Sequence, residues 1–286
     1  MRVEEIITDR IVKLLEAGTP PWHRPWTVRG QAPANAISKQ EYHGINVVML
    51  ACTPYQTPYW LTFKQAKEAK GTVKKGEHGS MVVFAKRNTK EVETDSGEME
   101  ERSYTVLRYY TVFNVEQTEG CELDLPEAPK LAEHQKIERC EQVYANMPNR
   151  PELHHNSPGR QFQAFYSKSS DYINVPALGA YEKPEEYYST LFHELTHSTG
   201  HASRLDRETL KDALHFGDTN YSKEELVAEM GAAFLAGLTG IDLVTIPNSA
   251  AYLNSWIKRL KGEPKLVISA AAQAQKAVDY ILNRSN

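Results

Sequence analysis

The sequence contains no long hydrophobic run, few cysteines and no apolar leader. No apolar stretch among its 286 residues approaches the ~18 residues of a membrane-spanning helix, which excludes a protein that crosses a bilayer. The opening segment MRVEEIITDR carries acids where a secretory signal would be apolar, so we expect a cytoplasmic protein. Cys52, Cys121 and Cys140 have no metal-type spacing and indicate reduced thiols.

Charge is present but unevenly distributed. Residues 1–90 carry 14 Lys and Arg against 7 Asp and Glu, whereas the rest of the chain is acidic and the whole has a net charge of -4. An acidic stretch from Glu116 to about Pro129 contains glycine and proline without periodicity, which indicates a linker. We therefore predict an α+β protein of two domains, residues 1–128 being mixed α/β and residues 129–286 mostly helical. The basic first domain is a candidate for binding a polyanion.

The pattern H-E-x-x-H occurs once, as His193-Glu194-Leu195-Thr196-His197. In a helix, residues four apart lie on one face, so both imidazoles can reach a single zinc ion. Glu194 lies on the next edge of that face, where it can take a proton from a water at the metal. The apolar residues around the motif are typical of a buried active-site helix. The sequence therefore predicts a Zn²⁺ site with His193 and His197 as ligands and Glu194 as the catalytic acid/base.

A catalytic zinc site needs a third protein ligand, and three residues are candidates. His201 follows Gly200, where the helix is expected to end, and Ser203 occupies the histidine position of the longer metzincin pattern. Glu225 belongs to a capping box that begins at Ser222, which gives it a structural task. Glu229 lies one turn deeper among small apolar residues, where a bound metal would explain a buried carboxylate. We predict Glu229 as the third ligand.

The segment DYINVP, about twenty residues before His193, is predicted to be a strand. If it is an edge strand beside the metal, it can hold an extended peptide by adding it to the sheet. A core strand is an equally good interpretation.

The basic part of the chain interleaves cations with aromatic residues. Single-stranded nucleic acid is bound by positive grooves that follow its phosphates and by aromatic rings on which its bases stack. Core packing of the aromatics and a solvated lysine face are the alternatives. The predicted nucleic-acid-binding residues are Trp22, Arg24, Trp26, Tyr59, Lys64, Lys67, Lys74, Lys75, Arg108 and Tyr110.

Six segments spread over nearly the whole chain resemble the ArdC antirestriction proteins of conjugative plasmids. That family is in turn similar to the front part of plasmid-borne conjugative primases. The segments are PPWHRPW, GINVVML, YWLTFKQAKEAKGTVKKGEHGS, YYTVFNVEQTEG, FHELTHSTGHASRLDRE and EELVAEMGAAFLAGLTGI.

The resemblance implies a front domain that binds single-stranded DNA and a back domain of the zincin metallopeptidase type. By position, His193, His197 and Glu229 match the family's metal ligands, and Glu194 matches its catalytic acid/base. The implied role is to protect incoming plasmid DNA from host restriction during transfer. The alternative hypothesis is an intracellular zinc peptidase that cleaves a restriction subunit or another host protein, with a front domain that recognises protein.

Overall fold

The computed structural model describes residues 2–17, 31–51, 53–55, 57–93, 99–126, 133–155, 157, 160, 163–211, 219–241 and 250–284. Its helices are α1 (Val3–Glu16), α2 (Ile45–Ala51), α3 (Phe63–Glu68), α4 (Glu133–Asn146), α5 (Pro184–Ser198), α6 (Glu208–Lys211), α7 (Thr219–Thr239), α8 (Ala250–Gly262) and α9 (Leu266–Ile281). Its strands are β1 (Ala34–Asn35), β2 (Tyr59–Leu61), β3 (Thr72–Val73), β4 (Ser80–Glu93), β5 (Met99–Asn114), β6 (Thr118–Glu119), β7 (Glu152–His154), β8 (Phe165–Ser167) and β9 (Tyr172–Asn174). Within these ranges, no helix is both long and apolar enough to cross a membrane.

The front part is built on a four-stranded sheet with the strand order β1-β2-β5-β4. Its main feature is the antiparallel hairpin of β4 and β5, whose register runs from Ser80 opposite Val112 to Glu93 opposite Met99. The helix α3 beside the sheet begins as its sequence predicts, because the Thr62 hydroxyl accepts a hydrogen bond from the Gln65 amide in a capping box. A separate pair of short strands, β3 and β6, follows this helix.

The back part combines helices with a small three-stranded sheet of order β7-β9-β8. DYINVP forms β9, which is parallel to β7 and antiparallel to β8. The edge-strand interpretation of DYINVP is therefore wrong: β9 is the central strand, and Ile173 in it is fully buried. The edge positions of this sheet belong to β7 and β8.

One large hydrophobic core joins helices from both ends of the chain. It contains the buried faces of α1 and α2 together with those of α5, α7 and α9. Two smaller clusters lie in the front sheet, one around Leu61 and Ala66 and the other around Trp60 and Val82. The fold confirms the predicted α+β class, with a sheet-based N-terminal domain and a mostly helical C-terminal region.

Candidate metal centre

The helix α5 brings the two predicted histidine ligands to one point. It begins at Pro184, whose missing N–H is no loss in the first turn, and it buries Leu191, Phe192 and Leu195. The four-residue spacing then places His193 and His197 one turn apart on the adjacent face, where their Nε2 atoms lie 3.1 Å from each other. Both histidines are partly buried.

The third member of the cluster is Glu225, on α7. Its Oε2 lies 3.5 Å from His193 Nε2, and its Oε1 lies 3.4 Å from His197 Nε2. Among the described residues, the metal-ligating atoms of His193, His197 and Glu225 all lie within 4.8 Å of one another. The carboxylate therefore faces both imidazoles at once.

The structure corrects the prediction of Glu229 as the third ligand. Glu229 lies one turn further along α7, is 9% exposed and does not join the cluster. The capping box predicted at Ser222 would place Glu225 in the first turn of its helix. However, α7 already begins at Thr219, so Ser222 lies inside the helix, and the Glu225 carboxylate faces the histidines. Gly231 allows α5 and α7 to approach closely, since a Cβ on it would collide with the Thr196 side chain.

The spacing of the three ligand atoms fits a single small cation. The two Nε2 atoms lie 3.1 Å apart, and each lies 3.4 or 3.5 Å from a different oxygen of the Glu225 carboxylate. Atoms that share one zinc ion at the ~2.0–2.2 Å typical of imidazole and carboxylate ligands lie roughly 3–3.6 Å from one another, which matches these separations. Three protein ligands leave the fourth position open, which distinguishes catalytic sites from structural ones.

A second carboxylate, that of Glu224, contacts His197 at Nδ1, the ring nitrogen that is not part of the cluster. The Oε1 atom of Glu224 lies 3.3 Å from His197 Nδ1, so with a metal on Nε2 this second ring nitrogen would keep its proton and donate it in a hydrogen bond to the carboxylate. Glu224 is anchored in turn by the Arg207 guanidinium, whose Nε donates to Oε2 at 3.1 Å, and by the Thr209 hydroxyl at 2.5 Å. Arg207 also donates to the Thr196 carbonyl at 2.8 Å and thereby ties the end of α5 to this network.

Sequence analysis missed this supporting layer. The only signal for it was the adjacent acidic pair Glu224-Glu225 in a helix otherwise rich in small apolar residues. Nothing in the sequence indicates that Arg207, in the loop after α5, meets the first of these acids.

The carboxylates of Glu224 and Glu225 favour positive charge at the centre. Burial alone would lower the pKa of His197, but its hydrogen bonds to Glu224 and Glu225 outweigh burial and raise that pKa to about 10. Burial opposes ionisation of Glu224 as well, yet the contacts with His197 and Arg207 lower its pKa to about 2. The two imidazoles likewise hold the pKa of Glu225 well below its usual range despite burial. A divalent cation can replace the proton that these groups share.

The cluster opens into a cavity of about 450 Å³. Glu194, which is 7% exposed, lines this cavity together with His193 and His197. Phe165 and Tyr166 of the edge strand β8 also line this cavity. The predicted acid/base and a sheet edge therefore border the same cavity.

His201, the other candidate ligand, takes no part in the cluster. Its Nδ1 lies 2.8 Å from the Ser203 hydroxyl, beyond the end of α5. The predicted end of the helix before Gly200 accounts for this position.

Comparison with known proteins identifies the chain. A family model of zincin-like metallopeptidases matches residues 152–273, and the model of the N-terminal domain of the anti-restriction factor ArdC matches residues 1–113. The metal-free crystal structure of the antirestriction protein ArdC from plasmid R388 is 36% identical and superposes with a TM-score of 0.74, covering 100% of both chains. The chain belongs to the ArdC antirestriction family.

Further relatives of this ArdC family member differ in length. The Mn(II)-bound structure of R388 ArdC is 34% identical, with a TM-score of 0.73, and covers 99% of this chain and 98% of that one. The uncharacterized protein y4eC of Sinorhizobium fredii is 30% identical over 98% of this chain and 91% of its own. DNA primase TraC of Escherichia coli is 34% identical over 97% of this chain, which spans only 27% of the length of that primase.

The predicted nucleic-acid-binding residues of the ArdC-type front domain fall into three groups. Trp22, Arg24 and Trp26 lie outside the described residues. Tyr59 is a correction: it is 8% exposed in the small core around Leu61, so its ring is not available to a base. The strand β2 is buried along its whole length, which sequence spacing did not reveal.

The remaining predicted residues are exposed. Lys64 and Lys67 lie on α3, where Lys64 pairs with Glu68 at 3.6 Å and the Lys67 ammonium lies 5.6 Å from the Phe63 ring centre. Lys74 donates to the Glu116 carbonyl at 2.8 Å, and Lys75 follows it in the same exposed turn. Two more, Arg108 and Tyr110, project from β5.

Proposed function

We propose that this ArdC family member is an antirestriction protein with two activities, a zinc metallopeptidase site and a surface for single-stranded DNA. The observation that carries the peptidase half is the convergence of His193, His197 and Glu225 at the cavity that Glu194 lines. Two imidazoles, one carboxylate and an open fourth position are the donor set of catalytic zinc. Zinc is our choice for the native metal, and the Mn(II) in R388 ArdC supports a divalent cation at such a site.

The residues of the centre divide the chemistry among them. A bound divalent cation would polarise the scissile carbonyl and acidify a water molecule. Glu194 would accept the proton of the attacking water and return it to the leaving amine. The edge of β8 would hold the substrate in an extended conformation through backbone hydrogen bonds. Glu224 would keep His197 in the tautomer that ligates through Nε2.

We propose that residues 1–128 bind single-stranded DNA with little sequence preference. The support is the exposed set of cations on α3, in the following turn and on β5, together with the family relationship. In this proposal the protein acts in the cytoplasm and protects incoming plasmid DNA from host restriction during conjugation. A host restriction protein is the proposed peptidase substrate.

Substituting Glu194→Gln tests which activity provides protection. The change keeps the ligands and the shape of the cavity but removes the base. We expect it to abolish peptide hydrolysis while metal content and DNA affinity stay within about 2-fold of wild type. The matched control is Glu185→Gln, the same change two turns earlier on α5, which should leave all three properties unchanged.

Restriction of incoming plasmid DNA is then measured in recipient cells. Loss of protection in Glu194→Gln but not in Glu185→Gln supports a protective peptidase. Protection that survives Glu194→Gln means that DNA binding suffices. If the wild-type protein gives no protection at all, the antirestriction proposal is wrong and the alternative, a peptidase with a protein-recognising front domain, gains support.

DNA binding is tested separately with labelled oligonucleotides across a range of salt concentrations. Contacts with phosphates release counterions, so affinity for single strands should fall steeply as salt rises. No binding at low salt would refute the DNA half of the proposal while leaving the peptidase half intact.

A further inference from the structure

The long β4–β5 hairpin has two different faces. Successive residues of a strand point to opposite faces, so the register assigns every cross-strand pair to one of the two. Phe84 pairs with Arg108, and Tyr110 lies two residues further along β5 on the same face as Arg108. Tyr109, between them in sequence, belongs to the opposite face and pairs with Val83.

Two exposed rings meet on the first of these faces. Phe84 and Tyr110 are 49% and 48% exposed, and their ring centres lie 5.5 Å apart in an edge-on arrangement. Single exposed aromatic residues are common on protein surfaces, whereas adjoining ones form the contiguous apolar patches that often mark binding sites. Each ring therefore offers about half of its surface to solvent.

The two rings adjoin a packed cluster on the same face. Val82 lies directly opposite Tyr110 and is fully buried, and Val112 is 2% exposed. Both belong to the cluster that contains Trp60. This cluster fixes the strands beside the rings, so that binding costs little conformational entropy.

The charge of this face is positive. Arg108 lies directly opposite Phe84, and Lys86 follows Phe84 on the same face two residues further along β4. Both cations are exposed. They are the charged side chains that the structure describes on this face of the hairpin.

We propose that this aromatic face, made of Phe84, Tyr110, Lys86 and Arg108, is the platform on which bases of single-stranded DNA stack. The inference rests on the proposed DNA binding and assigns it to a defined surface. Rings supply stacking that tolerates any base, and the neighbouring cations match the phosphates of a polyanion.

The test compares Phe84→Ala and Tyr110→Ala with Tyr109→Ala in the full-length protein, using a fluorescein-labelled oligothymidylate. The control residue is adjacent in sequence, chemically identical to Tyr110 and 55% exposed, but it lies on the other face. We expect each of the first two changes to raise Kd about 5- to 100-fold, the range for loss of one stacked base. Tyr109→Ala should change Kd less than about 2-fold.

Two further variants separate stacking from charge and from folding. Tyr110→Phe keeps the ring and should bind as wild type. Arg108→Ala should weaken binding and also flatten the salt dependence, because a phosphate contact is lost. Thermal unfolding of every variant shows whether a weaker Kd reflects a damaged fold.

The outcomes are distinguishable. If wild type binds but Phe84→Ala and Tyr110→Ala match Tyr109→Ala, the aromatic face is refuted and DNA binding itself stands. If wild type does not bind oligothymidylate at low salt, both proposals fall together.

Discussion

Replacing Glu225 by glutamine should remove the metal from the centre, whereas the same change at Glu229 should not. Glu225 is the only one of the three clustered ligands that brings a negative charge. Its two oxygens lie 3.4 and 3.5 Å from the imidazole nitrogens. Glutamine has the same shape, which confines the perturbation to charge and to the strength of one ligand.

The expected size of the effect follows from metal sites in general. Removing a residue that merely supports a ligand typically lowers metal affinity 10- to 100-fold. Removing the ligand itself should therefore cost more than about 100-fold, or ~2.7 kcal/mol of binding free energy. Calorimetric titration of chelator-treated protein with Zn²⁺ and with Mn²⁺ measures this directly. Wild type should bind one ion per chain.

Glu229→Gln is the matched control, since it changes the same residue type one helical turn away. We expect its metal affinity to stay within about 3-fold of wild type. Full metal binding by Glu225→Gln combined with loss in Glu229→Gln would refute the arrangement of ligands and restore the prediction made from the sequence. Glu225→Ala, which removes the side-chain oxygens altogether, should bind no more tightly than Glu225→Gln.

Three further predictions concern the surroundings of the centre. Glu224→Gln should lower metal affinity about 10- to 100-fold in the same titration, because the imidazole loses the carboxylate that orients it. Burial would raise the pKa of Asp171, but its hydrogen bonds to Arg204 and Tyr166 outweigh burial and lower that pKa. The ionised side chain therefore stabilises the fold fully above the unfolded pKa of ~3.9, and this stabilisation is lost as the pH falls through the lower pKa of the folded state. Asp171→Asn, which tolerates the same left-handed backbone, should cost ~1–3 kcal/mol in urea unfolding at pH 7, and a difference that persists undiminished at pH 3 would contradict this. Gly231→Ala should destabilise the fold by ~1–3 kcal/mol through collision with Thr196, and an added Thr196→Ala should recover part of that loss in a double-mutant cycle.

The sequence predicted the parts of the metal centre that depend on local geometry. His193 and His197 share one helix, and a spacing of four residues places them on one face whatever the rest of the fold does. The choice between Glu225 and Glu229 depends instead on how α7 is rotated against α5 and on where α7 begins. Asp218, Thr219 and Asn220 are favoured cap residues as well as Ser222, so the sequence offers several possible helix starts. The capping box at Ser222 selects a later start than the one that the structure has.

The same distinction holds in the front sheet. Thr62 with Gln65 forms the capping box at the start of α3, an interaction within three residues that the local sequence alone determines. Tyr59 and Phe84 are both aromatic residues in strands, yet one is buried and the other half exposed. Strand pairing causes this difference in burial, because Tyr59 lies in the inner strand β2, whereas Phe84 lies in β4 at the edge of the sheet. Pairing between distant segments cannot be deduced from composition or spacing.

The domain boundary at residues 128/129 stays a prediction, and it does not divide the hydrophobic core. Helices α1 and α9, from the two sides of that boundary, pack in the same core. Ile7 and Ile11 of α1 are fully buried in the cluster that α7 and α9 also build. The Thr8 hydroxyl donates to the Pro264 carbonyl at 2.7 Å, and the Gly44 amide donates to the Gln275 side chain at 3.1 Å. Since close-packed interiors transmit strain, a substitution in the front part can shift the helix that carries Glu225. A front-domain variant can therefore lose antirestriction activity or metal affinity because its fold is less stable. The free energy of unfolding of each such variant, measured on the intact chain, separates this effect from the loss of a direct contact.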